Sequence, residues 1–386
     1  MTETNWSVPE SDVLARARDV LDGEDRGVLA TIIRVEGSAY RRPGAKMVIP
    51  EDGEGFGHIT AGCLEDEVQR LAEEVLAEGE PRVVTYDLMP EDDADDDVWG
   101  LGVGCNGVID ILLEPLDETY RPAIEAFDAG EDVGVLTVID AADEDVVGAR
   151  AYYDPESDEF SAGESFPADQ LDRLREPTAE LTARGRAESV ELGDLTVFVD
   201  GLAAPSDLVV VGTGHDVGPI VEIGSLADFR VTVVGFRGAN AKADRYPQAD
   251  EVVSTSPARI REAHPFDEDT YVVVVTHNYV DDRLALDELL QTDVPYVGLM
   301  GPRERFNEMR ADFDEEGRTF TEGELDRLYT PIGLDLGSGS PHGIALSIVG
   351  EALAVKNDRE PRHLREREGT IHERIELSAD GGDPTA

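Results

Sequence analysis

Cysteine is almost absent from this chain of 386 residues, which carries two, Cys63 and Cys105, 42 positions apart. So sparse a use excludes a disulfide framework and fits a reducing compartment. Bases are scarce too: 33 Lys and Arg stand against 85 Asp and Glu, a formal net charge of -52. That balance argues against nucleic acid or an anionic membrane as partner. Acids recur in nearly every block of ten residues, so the charge belongs to the whole surface rather than to a tail. Its self-repulsion is tolerable where salt screens it, at a Debye length of about 3 Å in molar salt. A salt-rich cytoplasm, as in a halophile, is the expected setting. No apolar run approaches the ~18 residues of a membrane span, and the N-terminus does not read as a signal peptide. The two cysteines and seven histidines show no zinc-ligand spacing. No G-x-S-x-G elbow suggests a Ser-His-Asp hydrolase.

What is present reads as two domains, 1–204 and 205–357, with a tail at 358–386. Ser11 is placed to cap a first helix, Asp12 to Leu21, before an alternating strand from Gly27 to Gly37. Short strands are expected at Met47 to Ile49 and His58 to Ile59. Helical spacing of Leu64, Val68, Leu71, Val75 and Leu76 follows. Strands at Arg82 to Leu88 and Gly107 to Glu114 flank an acidic loop, Glu91 to Asp97. A further α+β stretch has helices near Ala123 to Ala129 and Ala168 to Arg184, and strands near Val133 to Ile139 and Val147 to Tyr153. From Asp207 the pattern changes to buried strands at Asp207, Arg230, Glu251, Tyr271 and Tyr296, separated by helical segments at Pro257 to Ala263, Leu284 to Leu290 and Arg303 to Phe313. That alternation predicts a doubly wound parallel sheet, an α/β fold.

Three places carry chemistry. Arg34 to Lys46 holds four bases and one acid, a local +3 on a strongly acidic chain. A charge run is usually a solvated face. Against this background Arg41, Arg42 and Lys46 instead suggest an anionic ligand, and guanidinium forks suit phosphate and heterocycles with several acceptors. Cys63 lies in HITAGCLEDEV at the start of a helix, where the dipole and nearby arginines favour thiolate and Glu65, Asp66 and Glu67 oppose it. Cys105 lies in GLGVGCNGVID, where a small buried hydrophobe is an equal reading. In the C-terminal half, Gly212-Thr213-Gly214-His215 follows a strand and opens a helix, the setting of a phosphate or dinucleotide turn. His215 either reaches a ligand or caps the helix. The acid expected at the end of the next strand is absent; Gly235, Phe236 and Arg237 stand there, which favours NADP over NAD, another phosphorylated ligand, or an empty site. Thr276, His277 and Arg303 end later strands on the same expected edge.

EGSAYRRPGAKMVI, ITAGCLEDEV and WGLGVGCNGVIDILLEP resemble the signature blocks of the XdhC/CoxI family of xanthine dehydrogenase accessory proteins. VVVGTGHDVG, VVVTHNYVDDRLALDELL, YVGLMGPRER and PIGLDLGSGSPHGIALSIVGEALAVKN resemble that family's Rossmann domain, in the same order. The resemblance implies an N-terminal XdhC/CoxI-type α+β domain followed by a Rossmann-like domain. It implies a factor that binds molybdenum cofactor (molybdopterin), supports its sulfuration by a cysteine desulfurase, and inserts it into a molybdenum hydroxylase apo-enzyme. By that resemblance Arg41, Arg42, Lys46, Cys63, Glu65 and Cys105 hold the cofactor, in a protein that delivers rather than catalyses. Ala61 and the VVGFRG segment depart from the family pattern, the latter against NAD. A homodimer is expected. An NADP-dependent oxidoreductase using the Gly212 turn, and a thiol redox pair of Cys63 with Cys105, are the alternatives.

Overall fold

The computed structural model describes residues 8–38, 41–60, 62, 64–87, 106–238 and 240–366. These divide into two compact units between Ala204 and Pro205.

In the first unit, α1 (Glu10–Asp22) precedes β1 (Gly27–Ser38), β2 (Lys46–Pro50), β3 (Phe56–Gly57), α2 (Glu65–Glu78), β4 (Arg82–Asp87) and β5 (Asn106–Pro115). Pro9, not Ser11, occupies the N-cap position of α1, so the expected cap lies inside the helix. Proline is suited to that boundary because its φ is preset and the orphan N–H is already missing. The strands form an antiparallel sheet in the order β3-β2-β1-β5-β4. Both of its faces are buried, which explains why β1 is apolar almost without interruption. Val28, Ala30 and Ile32 meet Val68, Leu71 and Val75 of α2 on one side. Leu29 and Val48 meet α1 and α3 (Arg121–Ala129) on the other.

A second antiparallel sheet follows: β6 (Val133–Ala141), β7 (Arg150–Asp154), β8 (Glu159–Ala162), β9 (Ala187–Glu191) and β10 (Leu195–Leu202), in the order β8-β7-β6-β10-β9. α4 (Leu171–Ala183) covers it through Leu174 and Leu181. The sequence pattern assigns no strand to β8, β9 or β10. The misses at β8 and β9 have a physical basis in their polar, partly exposed residues, which weaken the alternating signal.

The second unit contains six parallel strands, β11 (Asp207–Val211), β12 (Arg230–Gly235), β13 (Glu251–Ser254), β14 (Thr270–Val274), β15 (Tyr296–Leu299) and β16 (Leu328–Tyr329). Their order, β13-β12-β11-β14-β15-β16, is the doubly wound arrangement with its switch between β11 and β14. Alternate side chains face opposite layers. Leu208, Val210, Val231 and Val233 pack under α5 (Val217–Leu226) and α9 (Pro341–Lys356). Val209, Val211, Val272 and Val274 pack under α6 (Tyr279–Leu290) and α7 (Arg303–Glu315). A short α8 (Glu322–Asp326) precedes β16. The helix read at Pro257 to Ala263 is instead a 3₁₀ segment, Pro257–Glu262, with Arg259 out of helical conformation. No helix among the described residues is long and apolar enough to cross a membrane.

Candidate functional site

The register of the first sheet gathers the sequence-predicted segments at one end. β1 and β5 are paired as far as Ser38 and Asn106, whereas the β1–β2 ladder stops at Thr31 and Lys46. The basic block enters β2 at that end, β3 leaves toward residues 60–64 there, and Asn106 begins β5 there. Cys63 and Cys105 lie outside the described residues, as does the acidic loop from Glu91 to Asp97; Leu64 and Asn106, the residues that follow them in sequence, are described.

The four bases of the block have different fates. Arg34 pairs with Glu36 and Asp110, and Arg41 pairs with Glu10 of α1. Lys46, read in sequence as a ligand-binding base, is buried. Its Nζ lies 2.5 Å from Asp200 of β10 and donates to Gly44 O at 2.8 Å. Burial alone would lower its pKa; the Asp200 carboxylate more than reverses this, so the ammonium stays charged inside the fold. Gly44 is left-handed, φ 94°, and a Cβ there would come 3.2 Å from Ala187 Cβ. The turn thus fits against the second sheet only as glycine. Arg42 is exposed and, among the described residues, makes no ion pair. It is the base of this block left available to an anion.

Glu65 opens α2 but does not face outward. The residue is 3% exposed, and its carboxylate accepts from Thr60 N–H at 3.0 Å, from Thr60 Oγ1, and from Leu64 N–H at 3.1 Å. Burial pushes its pKa up, and these hydrogen bonds more than offset that, leaving it below the ordinary carboxylate value. Glu65 therefore links Thr60 and Leu64 to the start of α2. Gly62 within it is exposed with φ 102° and has open space where a Cβ would stand.

Sequence reasoning missed a second buried ion pair, Arg150 of β7 with Glu114 of β5, and Tyr120 beside it, whose hydroxyl has no hydrogen-bond partner among the described residues and is pushed up to about 12 by burial. No local signal could have found it, because the partners stand on different sheets.

In the second unit, Gly212 sits where a Cβ would be 2.5 Å from Val275 O, so the turn needs glycine for close strand approach. His215 is exposed. His277 Nε2 lies 2.7 Å from Asp216 Oδ2 and adopts φ 57°, an uncommon left-handed conformation for a non-glycine residue. Arg237 pairs with Asp281 at 2.9 Å. Thr276 turns inward, donating through N–H and Oγ1 to the buried Asp282, which also pairs with Arg305. Burial raises the Asp282 pKa despite these partners. Arg303 is exposed and unpaired among the described residues at the start of α7. No group of three or more His, Cys, Asp or Glu among the described residues is arranged to hold a metal ion.

The fold defines a two-unit α/β protein, with an antiparallel sheet carrying the basic block of residues 41–46 at one end in the first unit and a Rossmann-type parallel sheet in the second. Residues 21–87 match the XdhC and CoxI family and residues 208–352 match the XdhC Rossmann domain. The chain belongs to the XdhC/CoxI family. It is 25% identical over 345 residues to a probable xanthine dehydrogenase subunit of Bacillus subtilis, covering 87% of this chain and 95% of that protein. A 92-residue stretch is 30% identical to "Molybdenum cofactor insertion chaperone PaoD" of Escherichia coli, covering 22% of this chain and 29% of that protein. The crystal structure of a xanthine dehydrogenase from Bacillus halodurans superposes with a TM-score of 0.72 at 29% identity, over 92% of this chain and 97% of that one.

Proposed function

We propose that this protein binds molybdenum cofactor and hands it to a molybdenum hydroxylase apo-enzyme of the xanthine dehydrogenase type, acting as a maturation factor rather than as a catalyst. The observation that carries this reading is the end of the first sheet. There the strand register brings together the start of β2, which follows the Arg42 turn, the end of β3 and the start of β5, and this supports a shared site for the sequence blocks that carry the bases and the cysteines. A free guanidinium supplies a fork for the cofactor's phosphate, and thiols supply soft ligands for molybdenum or carriers for sulfur. The similarity to a named insertion chaperone supports the same reading.

Cys63 and Cys105 are the residues we assign to the cofactor's metal end, and Arg42, flanked by Arg41, to its phosphate. A cysteine desulfurase is the partner that would install the terminal sulfur, and a homodimer would double the site. The charge of -52 supports a salt-rich cytoplasm as the setting.

The test is to express the chain in a molybdopterin-producing host, purify it in high salt and assay bound pterin by fluorescence after oxidation. Wild-type protein should carry molybdopterin. Arg42→Ala should lower its affinity about tenfold, roughly 1.4 kcal/mol, and Cys63→Ala should lower retention further. Pterin-free wild type, or full retention by both variants, refutes the assignment.

A further inference from the structure

The second unit carries the outline of a dinucleotide site, yet its own side chains occupy the two places a dinucleotide needs. The first is the anion position. A pyrophosphate requires a bare glycine face and the free amides of a helix start. Here α5 begins at Val217, three residues after Gly214, and Asp216 holds its N-cap position. The Asp216 side chain accepts nothing from the helix amides. Its Oδ1 instead lies 2.3 Å from where a Cβ on Gly214 would stand, so the carboxylate rests on the glycine face itself. Its Oδ2 is held by His277 at 2.7 Å. Asp216 follows β11 and His277 follows β14, the two strands that flank the switch point, so the pair spans the crevice in which ligands of such sheets bind.

The second place is the ribose position at the end of β12. A Cβ on Gly235 would come 2.8 Å from both Ala241 Cβ and Thr213 Cγ2, so the chain closes over that strand end and leaves no room for an acid. Arg245 donates to Thr213 O at 3.3 Å and ties the same covering segment to the glycine turn.

We infer that Asp216 is an internal occupant of the anion position and that the second unit excludes nicotinamide dinucleotides. A fixed carboxylate near a helix N-terminus is itself favourable there and repels a second anion. The left-handed backbone at His277 fits this role, since it marks a residue held for a specific contact rather than for packing. The inference does not depend on molybdenum cofactor binding by the first unit.

Calorimetric titration of the full chain in high salt with NAD, NADP and inorganic pyrophosphate tests it. Wild type should show no saturable binding up to about 1 mM, a limit near -4 kcal/mol. Asp216→Asn and Asp216→Gly, checked by circular dichroism for an intact fold, should each gain pyrophosphate affinity by tenfold or more. His277→Ala, which leaves the carboxylate in place, should gain nothing. Micromolar NADP binding by the wild type overturns the inference, as does an absence of gain in both Asp216 variants. A gain in His277→Ala equal to that in Asp216→Asn would show that the contact, not the charge, excludes the ligand, and would likewise overturn it.

Discussion

Arg42 and Lys46 stand four positions apart in one basic block, and nothing in their local sequence separates them. The fold does. Lys46 is the first residue of β2 and points into the junction between sheets, where Asp200 awaits it; Arg42 lies in the turn and reaches solvent. Local charge could signal an anion site but not which base was already neutralised, because the neutralising acid arrives 154 positions later. Glu65 shows the converse. An acid in the first turn of a helix reads as exposed dipole compensation, yet it is buried by the chain folding back at Thr60. Replacing Glu65 with Ala removes the carboxylate that accepts from the Thr60 and Leu64 amides and the Thr60 hydroxyl, and should cost about 2–3 kcal/mol in urea unfolding. Because its folded pKa lies below the ordinary value, Glu65 contributes stability that is fully present above the normal carboxylate range and is lost as pH falls through the folded value. The gap between wild type and Glu65→Gln should therefore narrow on acidification, as measured by unfolding at a series of pH values. A gap independent of pH counts against a charged Glu65.

At the scale of elements, the parallel sheet was legible almost strand by strand. Runs such as Leu208 to Val211 and Val272 to Val274 are buried on both sides and need no alternation to be recognised. The end of β12 and the glycine turn were equally legible as elements, but the contact of Asp216 with His277 was not, since it joins residues 61 positions apart across the switch point. The second sheet was half seen, through β6 and β7. What it does escaped the sequence altogether: Asp200 of β10 takes Lys46, and Ser189 of β9 donates to Ile33 O at 3.1 Å. Breaking a buried pair by removing one partner costs about 3–5 kcal/mol, whereas replacing both with apolar residues is often neutral. Asp200→Leu alone should be severely destabilising. The double variant Lys46→Met, Asp200→Leu should recover most of the loss in thermal unfolding. Equal instability of the single and double variants would mean that the pair is not the source of the loss.

For the molecule as a whole, the charge of -52 dominates. Many of the bases that remain are engaged in ion pairs, including Arg18 with Asp128, Arg82 with Glu74 and Glu78, Arg121 with Asp22 and Glu118, and Arg318 with Asp287 and Glu324. These pairs leave most of the acidic excess unneutralised. Lowering salt from about 1 M to about 0.1 M lengthens the Debye screening distance from about 3 Å to about 10 Å and exposes each carboxylate to more of its neighbours. The melting temperature should fall steadily on that dilution, by differential scanning fluorimetry, and potassium chloride should restore it. A melting temperature unaffected by salt would remove the salt-rich setting from the proposal.

The bulge in β1 between Ile32 and Arg34 has a further consequence. Ile32 bonds through both its N–H and its C=O to the turn at Gly44 and Ala45, while Ile33 contributes its side chain to a cluster with Phe198 and Ala187 and its carbonyl to Ser189. One step of backbone thus holds the basic turn with one residue and the second sheet with the next. The segment between the two family-matched regions is for that reason no interchangeable spacer. Lys46 takes its acid, Asp200, and Gly44 its close neighbour, Ala187, from that segment, so a replacement stretch would have to supply both to keep the basic turn in place.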